Sequence, residues 1–148
     1  MNVQLGYAAN MDKLFFDTNV LLDVLEKRSP WFPESAECLA RVRRHKAKGG
    51  ITAISLSDIS YLQRKAPAES VYTSFQTLRQ FLDIAAVDAK AVDDALARKL
   101  NDLEDGFQFA AAQQWGATHF LTRNTQDFPQ YDSLTVQTPS EYLTEAAS

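Results

Sequence analysis

Leu14-Phe15-Phe16 delivers an acid, Asp17, at the end of a strongly apolar run, and Thr18-Asn19-Val20-Leu21-Leu22-Asp23 follows at once. The run is short and does not alternate, as expected of a strand buried on both faces of a parallel sheet. Val20 with Val24 and Leu21 with Leu25 then fall four apart, the spacing of one helix face. Asp17 therefore stands where strand gives way to helix. In an open α/β sheet, that edge is where ligands bind. A carboxylate there is costly to bury unless a donor or a cation meets it.

The rest of the chain repeats the alternation. The first helix is expected over residues 20–27, capped by Thr18 or Asn19 and ended by Ser29-Pro30. A second should run from about Glu34 to Lys48, with Ala36, Leu39 and Val42 inward and Gly49-Gly50 as its stop. Ile51-Thr52-Ala53-Ile54 reads as a second buried strand, and Ser55 or Ser57 as the cap of a helix carrying Asp58 in its first turns. Beyond Pro67, Val71, Phe75, Leu78 and Leu82 keep helical spacing. Ile84–Val87 reads as a short strand, and Val92, Leu96 and Leu100 as a helix. Asn101-Asp102-Leu103-Glu104-Asp105 opens a further helix that is apolar nearly all round and closes at Gly116. His119–Thr122 and Leu134–Val136 read as the last strands, with Ser140 capping a short final helix. Strands alternating with helices predict an α/β/α sandwich around a central, mostly parallel sheet, in a single domain over residues 12–148. Residues 1–11 read as a loose N-terminal extension, since Met1–Asn10 show no apolar periodicity.

With 148 residues, 45% of them hydrophobic, the chain is long enough to bury a core. Its formal charge of -4 argues against a protein that holds nucleic acid by bulk positive charge. A local basic face stays open in the helix bearing Arg41, Arg43, Arg44, His45, Lys46 and Lys48, which reads either as a solvated cationic helix end or as a contact for RNA phosphates. The lone Cys38 forms no internal disulfide, nothing resembles a signal peptide and no apolar run reaches the length of a membrane span, so the expected compartment is the cytoplasm.

Laid on these elements, Asp17, Asp58, Asp102, Asp105, Asn124 and Asp127 all fall at strand-to-helix junctions on one side of the sheet. Helix N-termini welcome carboxylates singly, and each could be a cap and nothing more, but several anions at one end repel. A divalent cation resolves that repulsion. The donors are oxygen only, without a histidine or cysteine cluster, which selects Mg²⁺ or Mn²⁺ over zinc and points to hydrolysis of a phosphodiester. Asp23 reads as a solvent-facing helix residue, Glu104 as a first-turn carboxylate pointing outward, and His45 and His119 as structural.

Four ordered blocks then resemble the PIN domain over roughly residues 13–143: Asp17-Thr18-Asn19-Val20-Leu21-Leu22-Asp23; Ala53-Ile54-Ser55-Leu56-Ser57-Asp58; Asp102-Leu103-Glu104-Asp105 before an alanine-rich helix; and Gly116–Asn124 with Asp127-Phe128. The resemblance implies a metal-dependent ribonuclease, commonly the VapC-like toxin of a bacterial toxin–antitoxin pair, often a homodimer. It assigns the family's acids to Asp17, Asp58 and Asp105, and the position after Thr-Arg to Asn124. Thr18 and Asn19 match residues that orient the first acid and its water, and Thr122 a hydroxyl near the site. Asp102 and Asp127 are supporting acids, and Arg123 joins Arg41, Arg44 and Lys46 as an RNA contact. The chain departs from the pattern in having Asp58 where glutamate is usual, Asn124 in place of the fourth acid, as in one branch of the family, and Gly106 where alanine is usual. These changes motivate a second reading, a PIN-like RNA- or protein-binding module without catalysis. A third is another metal phosphatase or a DNA nuclease on a similar sheet. A toxin would bring a small antitoxin that reaches an Arg or Lys toward Asp17 and Asp105, and Trp31 and Phe32 would offer a dimer surface.

Overall fold

The computed structural model describes residues 11–131 and 133–147, so the N-terminal extension expected over Met1–Asn10 lies outside the described residues. Five strands and seven helices follow in order among the described residues: β1 (Lys13–Phe16), α1 (Thr18–Leu25), α2 (Phe32–Arg43), β2 (Lys48–Ile51), α3 (Ala53–Leu62), α4 (Ala68–Arg79), β3 (Leu82–Ile84), α5 (Ala89–Arg98), α6 (Leu103–Trp115), β4 (His119–Leu121), β5 (Thr135–Gln137) and α7 (Pro139–Ala147). The strands form one parallel sheet in the order β3-β2-β1-β4-β5. The strand-and-helix alternation expected from the sequence is thus an α/β/α sandwich.

The central strand shows why. Leu14 and Phe16 point into one core with Leu21, Leu39, Val42, Ile59, Leu78 and Tyr142, while Phe15 points into the other with Phe109, Ala112, Phe120 and Val136. Successive side chains of a strand face opposite ways, so an apolar triplet demands cover on both faces. Helices α1 to α4 and α7 supply one cover, and α6, with α5 packed on it, supplies the other. The chain first builds outward from β1 through β2 to β3, then crosses back to lay β4 on the other edge of β1. The switch in direction opens a crevice beyond the carboxyl ends of β1 and β4.

Several boundaries differ from the sequence reading. Helix α2 stops at Arg43, two residues before His45 with its positive φ of 61°, and Gly49-Gly50 belong to β2 instead of ending that helix. A Cβ on Gly49 would lie 2.7 Å from Leu82 and 2.9 Å from Val42, and one on Gly50 3.0 Å from the Trp115 ring. The glycines let helices press onto the strand. The second strand is accordingly Lys48–Ile51, not residues 51–54, and α3 starts at Ala53 with Thr52 as its cap. The third strand is Leu82–Ile84 instead of residues 84–87. Asp17 itself caps α1 by accepting the Thr18 amide, where Thr18 or Asn19 was expected. Thr138, not Ser140, opens α7: its hydroxyl accepts the Glu141 amide while the Glu141 carboxylate accepts the Thr138 amide, a reciprocal capping box.

Candidate active site: an acidic cleft at the sheet switch point

The crevice is a cleft of about 670 Å³ whose lining includes Asp17, Asp58, Asp102, Glu104, Asp105 and Asp127. These six carboxyl groups come from four separate junctions, after β1, in α3, at the start of α6 and after β4, and neither Lys nor Arg is among the lining residues. Thr18, Asn19, Ser57, Tyr61 and Asn124 share the lining.

Asp17 is held tightly. One carboxylate oxygen accepts the Thr18 amide at 2.8 Å and the other the Thr122 hydroxyl at 2.8 Å, while the Asn124 amide donates to that same hydroxyl at 3.1 Å. The carboxyl is 6% exposed, and burial raises its pKa against those two hydrogen bonds. Beneath it lies a buried network that sequence reasoning missed. The Gln108 amide nitrogen donates to the hydroxyls of Thr18 and Ser55 at 2.9 and 2.7 Å, and its oxygen accepts the Thr52 hydroxyl at 2.7 Å. One side chain thus ties α6 to α1 and α3 under the cleft. The signal was a lone glutamine between two phenylalanines of an apolar helix, since a buried amide must find partners.

Asp102 caps α6, accepting the amides of Glu104 and Asp105 at 2.9 and 3.4 Å. That cap aims the next turn into the cleft. The Asp105 carboxyl is pushed up to about 7, first by burial and then by the charges of Asp17, Asp102 and Asp127. Glu104, expected to point outward, turns in against Asp58 instead. Its carboxyl is pushed up to about 8 by the hydrogen bond with Asp58, then by burial and by its acidic neighbours. Asp23 also departs from expectation. It is fully buried, 3.0 Å from the Arg123 Nε, a charge contact whose N–H is not aimed for a hydrogen bond. The Arg123 guanidinium lies over the Trp31 ring at 3.9 Å, so the residue that precedes Asn124 is clamped from both sides. Arg123 therefore sits beside the cleft. Arg41, Arg44 and Lys46 do not: they stand at the end of α2 and just before β2, at the opposite edge of the sheet. Arg44 pairs with Glu37 at 3.2 Å, and Arg41 lies 5.8 Å from the Tyr142 ring centroid. His119 packs its ring edge-on against Tyr142, as a structural histidine would.

Among the described residues, no three acidic, histidine or cysteine side chains already stand close enough together to enclose an ion. The donors nonetheless fit a hard cation, because they are all oxygen and because the cleft binds a proton on Asp105 near neutral pH for want of other positive charge. Asp17, Asp58 and Asp105 would hold it, with Glu104 alongside.

A doubly covered parallel sheet that gathers carboxylates at its switch point defines a class of α/β/α proteins with an acidic site at the strand ends. The chain belongs to the PIN domain family, whose model matches residues 13–126. Members of this family are generally divalent-metal-dependent nucleases. Two solved structures share the fold. One is a toxin–antitoxin complex from Klebsiella pneumoniae, to which the chain is 22% identical at a TM-score of 0.65, with 85% of this chain and 97% of that one covered. The other is VapBC2 from Rickettsia felis bound to a DNA fragment from their promoter, at 18% identity and a TM-score of 0.62, with 85% and 98% covered. No curated protein matches. Among the described residues, no helix is long and apolar enough to cross a membrane.

Proposed function

We propose that this chain is an Mg²⁺- or Mn²⁺-dependent endoribonuclease and the toxin of a toxin–antitoxin pair, working in the cytoplasm as a single PIN domain over residues 12–148. The observation that carries the reading is the cleft itself, where six carboxyl groups meet without a lining Lys or Arg and leave Asp105 protonating near pH 7. A divalent ion bound there would acidify the attacking water and neutralise charge on the phosphate and leaving oxygen. The chain's own groups do the rest. Asp17, fixed by Thr18 and Thr122, and Asp105, presented by the Asp102 cap, are the two anchors of the site. Glu104, hydrogen-bonded to Asp58, keeps its proton well above the usual carboxylate range and so stands as a further oxygen donor beside it. Asn124 and Asn19 offer neutral amides that orient water and phosphate oxygen without adding charge, and Asp127 supplies a further anion at the rim.

The toxin assignment draws on the two structural neighbours, both solved in toxin–antitoxin assemblies. A small antitoxin would cover the cleft with an Arg or Lys reaching Asp17 and Asp105, and a second copy would form a homodimer through the early helices. Incubating the purified protein with RNA and Mn²⁺ tests the activity. Cleavage by the parent and its loss in Asp17→Asn, with far-UV circular dichroism unchanged, is the expected pair of results. A folded parent that leaves RNA uncut across Mg²⁺ and Mn²⁺ would favour the non-catalytic binding module, a reading that the short Asp58 and the uncharged Asn124 keep in view.

A further inference from the structure

A polyanionic substrate entering this cleft meets carboxylates on every side and no cationic side chain in the lining, so whatever holds the strand beside the reacting phosphate must act by something other than charge. Tyr61 is placed for that. It lines the cleft, is 64% exposed, and lies three residues beyond Asp58 on α3, hence on the same helix face and ~4.5 Å further along the axis. A single exposed tyrosine means little by itself, but this one is braced. The Arg64 guanidinium lies 4.3 Å from its ring centroid and donates to the Tyr61 carbonyl at 3.0 Å. Arg64 borders the two grooves next to the cleft and not the cleft itself, which puts the cation behind the ring and leaves the cleft-side face open.

We propose that Tyr61, backed by Arg64, is a stacking platform for an unpaired RNA base adjacent to the phosphate held in the acidic cleft, with Arg64 taking the next phosphate outward. The inference rests on the nuclease reading for the nature of the strand. An aromatic face accepts any base, is indifferent to the surrounding negative charge, and demands a base released from pairing. A guanidinium fixed behind the ring adds backbone attraction outside the acidic zone, where no carboxylate of the cleft competes for it.

Binding, separate from cleavage, tests this. Fluorescence anisotropy with a short labelled single strand of mixed sequence, in Ca²⁺ so that the strand is not consumed, should show Tyr61→Ala raising Kd at least about fivefold, the low end of one lost base stack. Tyr61→Phe and Tyr61→Trp should bind like the parent, because the ring is kept. A perfectly paired RNA duplex should bind weakly to parent and Tyr61→Ala alike. Arg64→Gln should flatten the salt dependence of single-strand binding by roughly one phosphate contact. Equal Kd for parent and Tyr61→Ala overturns the proposal, as does a parent that binds no single strand or a Tyr61→Phe variant as weak as Tyr61→Ala. If Tyr61→Ala weakens only the grip of a protein partner, the exposed ring is a protein contact and the proposal fails. Tyr61-dependent binding by a protein that cuts no RNA would leave the platform standing and remove the catalytic reading alone.

Discussion

Asp23 is the residue whose environment says most about how the site is kept in shape. It sits with no exposed surface on α1, six residues after the helix cap Asp17, and its ion-pair partner is Arg123, the neighbour of both Thr122 and Asn124. Removing one partner of a buried pair strands the other charge. Arg123 retains some solvent, with 21% of its side chain exposed, and keeps the Trp31 face, which reduces the penalty. Asp23→Ala is therefore expected to cost about 2 kcal/mol of unfolding free energy, below the full range for an enclosed pair. Urea denaturation would read this, and an unchanged midpoint would mean that the contact contributes nothing. The sequence alone pointed to an outward Asp23 because an acid within a short amphipathic helix looks solvated. Its partner lies a hundred residues away, and no local pattern announces a pair made across the sheet.

At the scale of elements, Gly106 fixes how close α5 and α6 approach. It follows Asp105 in the first turn of α6, and a Cβ there would lie 3.2 Å from that of Ala95. A single methyl is nearly tolerable and is favoured by helix propensity, whereas a β-branched side chain must part the helices. Gly106→Val should lower stability by about 1–3 kcal/mol and tilt the Asp102–Asp105 turn out of the cleft. Thermal unfolding checks the first effect, and a melting temperature equal to the parent's would show that the helices can separate freely. The elements themselves were largely legible. β1, α6 and β4 carry strong periodic or continuous apolar signals with clear caps, and the acids at their ends fell where expected. The region around residues 43–54 was not legible, because Gly49-Gly50 serve close packing and a glycine pair looks the same in sequence whether it stops a helix or admits one. Glu104 escaped for a related reason. Its neighbour Asp105 faces the cleft, and adjacent helix positions point about 100° apart, whereas Glu104 also turns in to hydrogen-bond with Asp58, a pairing that sequence spacing does not reveal.

For the whole molecule, the acidic cleft sets stability against function. Glu104 and Asp105 have folded pKa values near 8 and 7, against ordinary values of 4.5 and 3.8. The folded chain thus binds more protons than the unfolded one between those limits, and its stability falls as pH rises through them. The contribution is complete below the ordinary carboxyl values and gone above about 8. Glu104→Gln should accordingly match the parent in melting temperature near pH 4.5 and exceed it above pH 8, where the parent alone carries the extra charge. A difference that shrinks with rising pH would contradict that sign. The most direct measurement is calorimetric titration of Mn²⁺ into the metal-free protein, made beside Asp105→Asn. The parent should bind with release of protons, since the cation replaces those held on Asp105 and Glu104, and the variant should bind weakly or not at all. Absence of binding by the folded parent, or equal binding by the two proteins, would contradict a cleft built to hold a divalent ion.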